Sequence, residues 1–109
     1  MKITIIGSTS YQSKMKLHKE RMKNKGHEVK IPAFDSRPDL DDLGVCIYNR
    51  SLIEWADEIH MFWDQRSIGT IFDFGMAFML RKPLKIIYLE AKTFRGTMEK
   101  YEASFINAS

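Results

Sequence analysis

The chain has a single cysteine, three prolines and six glycines among its 109 residues. A lone Cys46 excludes an intrachain disulfide, and a reducing, cytoplasmic setting is the expectation. His18, His27 and His60 have no metal-ligand spacing with one another or with Cys46. They read as surface or packing residues, and no metal is expected. No apolar run approaches the roughly 20 residues that cross a bilayer, so no membrane partner is expected. The opening K-I-T-I-I-G reads as a strand and lacks the layout of a secretory leader. Repeats and low-complexity tracts are absent. So is the G-x-G-x-x-G spacing of a dinucleotide site.

What is present is ordinary for one globular domain spanning 1–109: 44% apolar residues, 28% charged, net charge +3. The basic residues are uneven. Lys14, Lys16, Lys19, Arg21, Lys23 and Lys25 crowd one segment. The cluster reads as the solvated face of a helix, and nucleic acid is not expected as a partner because no motif accompanies the charge.

The periodicity alternates between two kinds of segment. Lys2–Ile6 is β-branched and leads to Gly7-Ser8, a strand ending in a turn. Ser10 or Ser13 can cap the helix that follows. In it Met15, His18 and Met22 face inward, and Gly26 stops it after a basic last turn. His27–Ile31 is a second strand, ended by Pro32. Residues Ala33–Gly44 read as a long loop, with Asp39, Asp41 and Asp42 as solvated loop or helix start. Tyr48, Leu52 and Trp55 mark a second helix with Ile53 and Ala56 beside them. Glu58–Trp63 is a third strand and Leu84–Leu89 a fourth. Thr93 to Phe105 can form a last helix. This β-α order, four times over, predicts an α/β, flavodoxin-like, doubly wound parallel sheet of four to five strands.

Ser67 to Leu80 reads S-I-G-T-I-F-D-F-G-M-A-F-M-L and holds one charge, Asp73. It predicts a loop entering a helix from Ile71 that is apolar on nearly every side and therefore buried. A lone buried carboxylate needs a partner or a task. With Thr70 as N-cap, Asp73 would take the acidic place of a capping box. Alternatively it is a carboxylate held at a cleft for nucleophilic attack. Ligands of such sheets bind beyond the carboxyl ends of the strands. Three segments reach there: Gly7, Ser8, Ser10 and Tyr11 after strand one; Asp64 after strand three; and Ser67, Gly69, Thr70 and Asp73 entering the next helix. Tyr11, Phe34 and Trp63 could stack on a base or belong to the core. Ser67 and Asp64 could equally be turn residues, and Asn49 could flank its helix.

Three stretches together resemble the nucleoside 2-deoxyribosyltransferase superfamily, which includes the 2′-deoxynucleoside 5′-phosphate N-hydrolases. They are the early Gly7-Ser8; N-R-S-L-I-E-W-A-D-E-I over 49–59; and Asp64, then Gly69-Thr70, Asp73, Gly75, Ala77 and Lys82-Pro83. The resemblance covers residues 1 to about 89. It implies N-glycosidic cleavage or deoxyribosyl transfer on a nucleoside or nucleoside 5′-monophosphate, with no metal and no organic cofactor. It places the carboxylate nucleophile at Asp73 and a second, sugar-orienting residue at Asn49. A phosphate-touching serine falls at Ser67, and a residue near base or sugar at Asp64. Two positions depart from the family pattern: Asp73 stands where Glu is usual, and Asn49 where an acid is usual. A non-catalytic nucleoside- or nucleotide-binding protein that kept the pocket is the alternative. The resemblance also implies a homo-oligomer, expected through Tyr48, Trp55, Met76 and Met79 on the second and third helices.

Overall fold

The computed structural model describes residues 1–32, 39–90 and 94–107. Phe34, a candidate base-stacking residue, lies outside them. Four strands form one all-parallel sheet: β1 (Lys2–Gly7), β2 (Glu28–Lys30), β3 (Glu58–Trp63) and β4 (Leu84–Leu89), in the order β2-β1-β3-β4. Four helices follow the strands: α1 (Gln12–Asn24), α2 (Asp42–Trp55), α3 (Ile68–Met79) and α4 (Phe94–Asn107). This is the flavodoxin-like α/β architecture that the alternating periodicity predicts.

Burial on both faces explains why β1 and β3 read as nearly unbroken apolar runs. Side chains alternate across the pleat. Ile3 and Ile5 pack with Met15, Val29 and Phe62 beneath α1. Ile6 packs with Ile53, Ile59, Met61 and Ala77 beneath α2 and α3. The connection through α1 carries the chain to one side of β1, and the connection through α2 to the other. The β1–β3 boundary is therefore the topological switch point, beyond whose strand ends ligands bind in sheets of this kind.

Gly7 ends β1 at that switch point. A Cβ there would lie 2.6 Å from the Phe62 carbonyl oxygen, 2.9 Å from Phe62 Cβ and 3.0 Å from Met15 Sδ. Two of these are parts of β3 that cannot swing aside. Gly7→Ala is therefore expected to destabilise the fold by about 3 kcal/mol, the upper range for overpacking, as read by urea denaturation.

The element boundaries differ from the sequence reading in three places. A single 3-10 turn, Thr9–Tyr11, precedes α1. Tyr11 then occupies the N-cap position, and neither Ser10 nor Ser13 caps the helix. The expected loop through Gly44 ends earlier: the Asp41 carboxylate accepts from Gly44 N at 2.7 Å and starts α2 at Asp42. The strand expected over His27–Ile31 pairs only over Glu28–Lys30. Gly26, at φ 91°, stops α1 as expected.

The largest correction concerns α3. Its buried residues are Thr70, Asp73 and Ala77, one narrow stripe at i, i+3 and i+7. Ile68 is 84% exposed and Met79 79%, and Phe72 and Phe78 also face outward. A four-stranded sheet with α2 alongside offers α3 one side only, so among the described residues its outer apolar surface has no layer to meet.

The histidines also differ from one another. His18 on α1 and His60 on β3 are buried and joined, Nε2 to Nδ1, at 2.7 Å, and His60 Nε2 meets Glu58 Oε1 at 3.0 Å. Burial is the first cause holding both imidazoles below their ordinary pKa. A base held neutral in the fold and freed on unfolding gives stability that is present above its unfolded pKa. That stability is lost as pH falls through about 6.5. The melting temperature is expected to drop between pH 7 and pH 5, and His18→Phe should flatten that drop.

Candidate functional site

The site grows from the ends of β1 and β3. Ser8 N donates to the Phe62 carbonyl at 3.0 Å, which extends the ladder one residue past Gly7. The Ser8 hydroxyl, itself buried, accepts from Asp64 N at 3.3 Å. Asp64 in turn holds the loop into α3, because its Oδ1 accepts from Arg66 N at 3.0 Å and from Ser67 N at 2.9 Å. That clamp steadies Gln65, which sits at φ 63° in the left-handed region. Asp64 thus does the work of a turn-forming carboxylate.

Ser67, not Thr70, is the N-cap of α3. Its Oγ accepts from Thr70 N at 3.3 Å and from the Thr70 hydroxyl at 3.0 Å. Thr70 is therefore the third helical residue and Asp73 lies in the second turn, beyond the reach of a capping box. The capping explanation for Asp73 falls away with that shift.

Asp73 points instead at α2. It is 3% exposed, and the Asn49 amide, 4% exposed, donates Nδ2 to Asp73 Oδ2 at 3.4 Å. Two residues 24 apart in sequence are thus brought together where α2 and α3 pack against β1. Burial pushes the Asp73 carboxyl up from 3.8 to about 6, while the hydrogen bond from Asn49 pulls it back down. Asn49 Oδ1 is buried with no hydrogen-bond partner among the described residues. It faces a donor's role unfilled by the protein: a protonated Asp73 or a bound hydroxyl would satisfy it.

The remaining candidates spread around this pair. Ser10 and Gly69 are exposed. Tyr11 is a core residue, with its ring edge-on to Tyr88 at 4.9 Å. Trp63 is half-buried and donates Nε1 to the Ser67 carbonyl at 3.3 Å, so it braces the same loop. The structure brings Ser8, Asp64, Ser67 and Thr70 into one hydrogen-bonded chain, and Asp73 stands one turn past Thr70 on the buried stripe. Tyr11 joins that chain through its backbone, its N–H donating to the Ser8 carbonyl at 2.9 Å.

Lys82 is a residue whose role the sequence reading missed. The Lys82-Pro83 pair reads as a helix breaker. In the structure Lys82 Nζ donates to the carbonyls of Glu54 at 2.8 Å and Ala56 at 2.7 Å. A cation there closes the carboxyl end of α2, the helix that carries Asn49. Only its distance from α2 in sequence hid it. Of the four residues expected at a subunit contact, Met76 and Met79 line an apolar groove of about 400 Å³ between α2 and α3, with Arg50, Ile71 and Phe72, whereas Tyr48 and Trp55 do not line it. Among the described residues no group of His, Cys, Asp and Glu is placed to hold a metal, and no helix is long and apolar enough to cross a membrane.

The chain matches no known protein family by sequence, and a search of curated proteins finds no relative. The fold class and the geometry around Asp73 therefore carry the functional reading.

Proposed function

We propose that this protein cleaves the N-glycosidic bond of a nucleoside or nucleoside 5′-monophosphate, with Asp73 as the nucleophile. The observation that carries the reading is the buried Asp73–Asn49 pair where α2 and α3 pack against β1. An ionised carboxylate short of solvent and held by one amide donor is a reactive group, and a pKa of about 6 leaves it ionised at neutral pH. In the reaction a carboxylate oxygen attacks the anomeric carbon and the bond to the base breaks. The base departs with the electron pair and takes a proton from water. Water then hydrolyses the glycosyl ester, freeing the sugar and restoring the carboxylate; a second base in place of water gives transfer. Asn49 Oδ1 accepts a sugar hydroxyl and so orients the ring. The α3 amino terminus and the Ser67 hydroxyl lie on the side suited to an anionic phosphate.

The test is incubation with a panel of nucleosides and 5′-monophosphates. Released base is followed by chromatography, and the glycosyl adduct on the intact chain by mass spectrometry. Release from a subset, with an adduct that maps to Asp73, is the expected result. Asp73→Glu should keep or raise turnover, because one more methylene restores the reach that the resemblance implies. Saturable binding with no release from any substrate would select the second reading, a binding protein that retained the pocket. The position of Asn49, which cannot take up a proton, is what favours that reading.

A further inference from the structure

A second polar cluster lies on the α1 face of the sheet, opposite the face that α3 and Asp73 cover. Glu58, His60 and His18 form one hydrogen-bonded chain there. His18, only 7% exposed, ends it at a cavity of about 230 Å³ between α1 and β4. Lys14, Leu17, His18 and Arg21 line one wall, at i, i+3, i+4 and i+7 on one face of α1. Phe62, Ile87 and Tyr88 line the other. Ile87 and Tyr88 are successive strand residues, which ordinarily face opposite ways. A bulge turns both to the cavity, because Met61 pairs with Ile86 but Phe62 with Tyr88. The hydrogen-bonded chain fixes what His18 offers. Burial alone would raise the Glu58 pKa, yet hydrogen bonds from His60 and Lys85 hold it below the ordinary carboxylate range. Glu58 is therefore ionised and only accepts. His60 Nε2 then carries a hydrogen, so Nδ1 of neutral His60 accepts the Nε2 hydrogen of His18. His18 Nδ1 keeps a lone pair and, among the described residues, has no hydrogen-bond partner. One added proton makes it a donor, and the imidazolium is tied through His60 to the Glu58 carboxylate.

We propose that this cavity is a second ligand site, which holds the phosphate of a small phosphate monoester among Lys14, His18 and Arg21 and its organic part against Phe62 and Ile87. Two permanent cations and an imidazole able to take a third charge suit a group with nearly two negative charges and three oxygens to share. A carboxylate would leave one cation unmet. Among the described residues neither Lys14 nor Arg21 has a carboxylate partner. Lys14 Nζ rests 4.7 Å over the Tyr88 ring, whose hydroxyl is bound to Glu90. Lys85, at the far end of the chain, is paired with Glu58 at 3.3 Å and takes no part. Burial, and after it His60, Arg21 and Lys25, hold free His18 below its ordinary pKa of 6.5. An anion beside it has the opposite effect. Binding therefore takes one proton from solvent onto His18 Nδ1. The affinity so gained is complete below the free pKa and is lost as pH rises through the higher, bound one. The site lies apart from Asp73 and is independent of what that residue does.

Titration calorimetry on the full chain tests it with sulfate, inorganic phosphate and phenyl phosphate. Sulfate stays a dianion between pH 6 and pH 8, so its pH dependence reports the protein alone. It is expected to bind saturably and about tenfold more tightly at pH 6 than at pH 8. Phenyl phosphate should bind about tenfold more tightly than inorganic phosphate at pH 7.5, because its ring covers the apolar wall. A variant with both Lys14→Ala and Arg21→Ala, at exposed positions, should melt like the parent and bind each probe at least tenfold more weakly. His18→Phe should bind sulfate equally at the two pH values. In proton NMR the His18 ring resonance, identified by its absence from His18→Phe, should move toward its protonated position when sulfate is added at pH 7. Sulfate that does not saturate, or that binds the Lys14 and Arg21 double variant as tightly as the parent, would overturn the proposal. So would a pH dependence that survives His18→Phe, an unmoved His18 resonance, or phenyl phosphate no tighter than phosphate.

Discussion

Replacing Asp73 with asparagine is expected to stabilise the protein while abolishing turnover. The rise of the Asp73 pKa from 3.8 to about 6 means the fold disfavours the ionised form. The difference corresponds to about 3 kcal/mol of lost stability once the group is ionised. Its sign is opposite to that of the histidines: the stability of a neutral Asp73 is complete below pH 3.8 and is lost as pH rises through about 6. An amide at this position removes that loss. Its oxygen can accept from Asn49 Nδ2, and its nitrogen can donate to Asn49 Oδ1, the buried acceptor that otherwise lacks a partner. Asp73→Asn should raise stability at pH 7.5 by about 2 kcal/mol, or roughly 10 °C in melting temperature for a domain of this size. It should lower turnover by on the order of a thousandfold or more, as the loss of a covalent nucleophile does. A variant that is less stable than the parent and retains full turnover would end the assignment of Asp73. The variant should also melt with a steeper loss below pH 6.5, because the opposing Asp73 contribution is gone and the histidine contribution remains.

Asn49→Asp should have the second largest effect, and in the unfavourable direction. It would set two carboxyls within 3.4 Å of each other in a buried site. Two like charges that close do not both ionise at neutral pH. The pair then titrates in two steps, one below and one well above the present value of about 6. A single shared proton would hold the nucleophile partly neutral. The acid limb of the pH–rate profile should move upward by a pH unit or more, so that turnover at pH 6.5 falls about tenfold while turnover at pH 9 is largely kept. Stability at pH 8 should fall by a few kcal/mol, because burying a second carboxylate beside the first is costly. An unchanged pH profile in this variant would show that residue 49 does not face the nucleophile in the working protein.

Both results turn on a pair that the sequence identifies only as two separate candidates. Asn49 and Asp73 each stand out in the sequence as candidates, yet nothing local makes them neighbours. Their contact follows from α2 and α3 lying side by side on one face of the sheet, a consequence of both crossovers moving the same way from β2 toward β4.

The sequence by itself determined the strands and their parallel order. Lys2–Gly7 and Glu58–Trp63 are mostly apolar runs ended by turn formers, as strands buried on both faces are written, and Leu84–Leu89 carries the same β-forming pattern although it lies exposed at the sheet edge. It determined the inward residues of α1, since Met15 and His18 follow the helical period. Tertiary structure decided what short-range signals left equal. Ser67 and Thr70 are both good caps, and Ser67 took the place because the Asp64 carboxylate had already fixed its backbone N–H. Apolar residues all around α3 report low polarity, not the number of layers available to cover them. Burial of α3 on one side only was set by a sheet of four strands. The pairing of His18 with His60, and of Lys82 with the end of α2, joins residues 42 and 26–28 positions apart. Contacts at that range are decided by how the layers stack, because a side chain's own neighbours in sequence carry no record of what the opposite layer will bring to it.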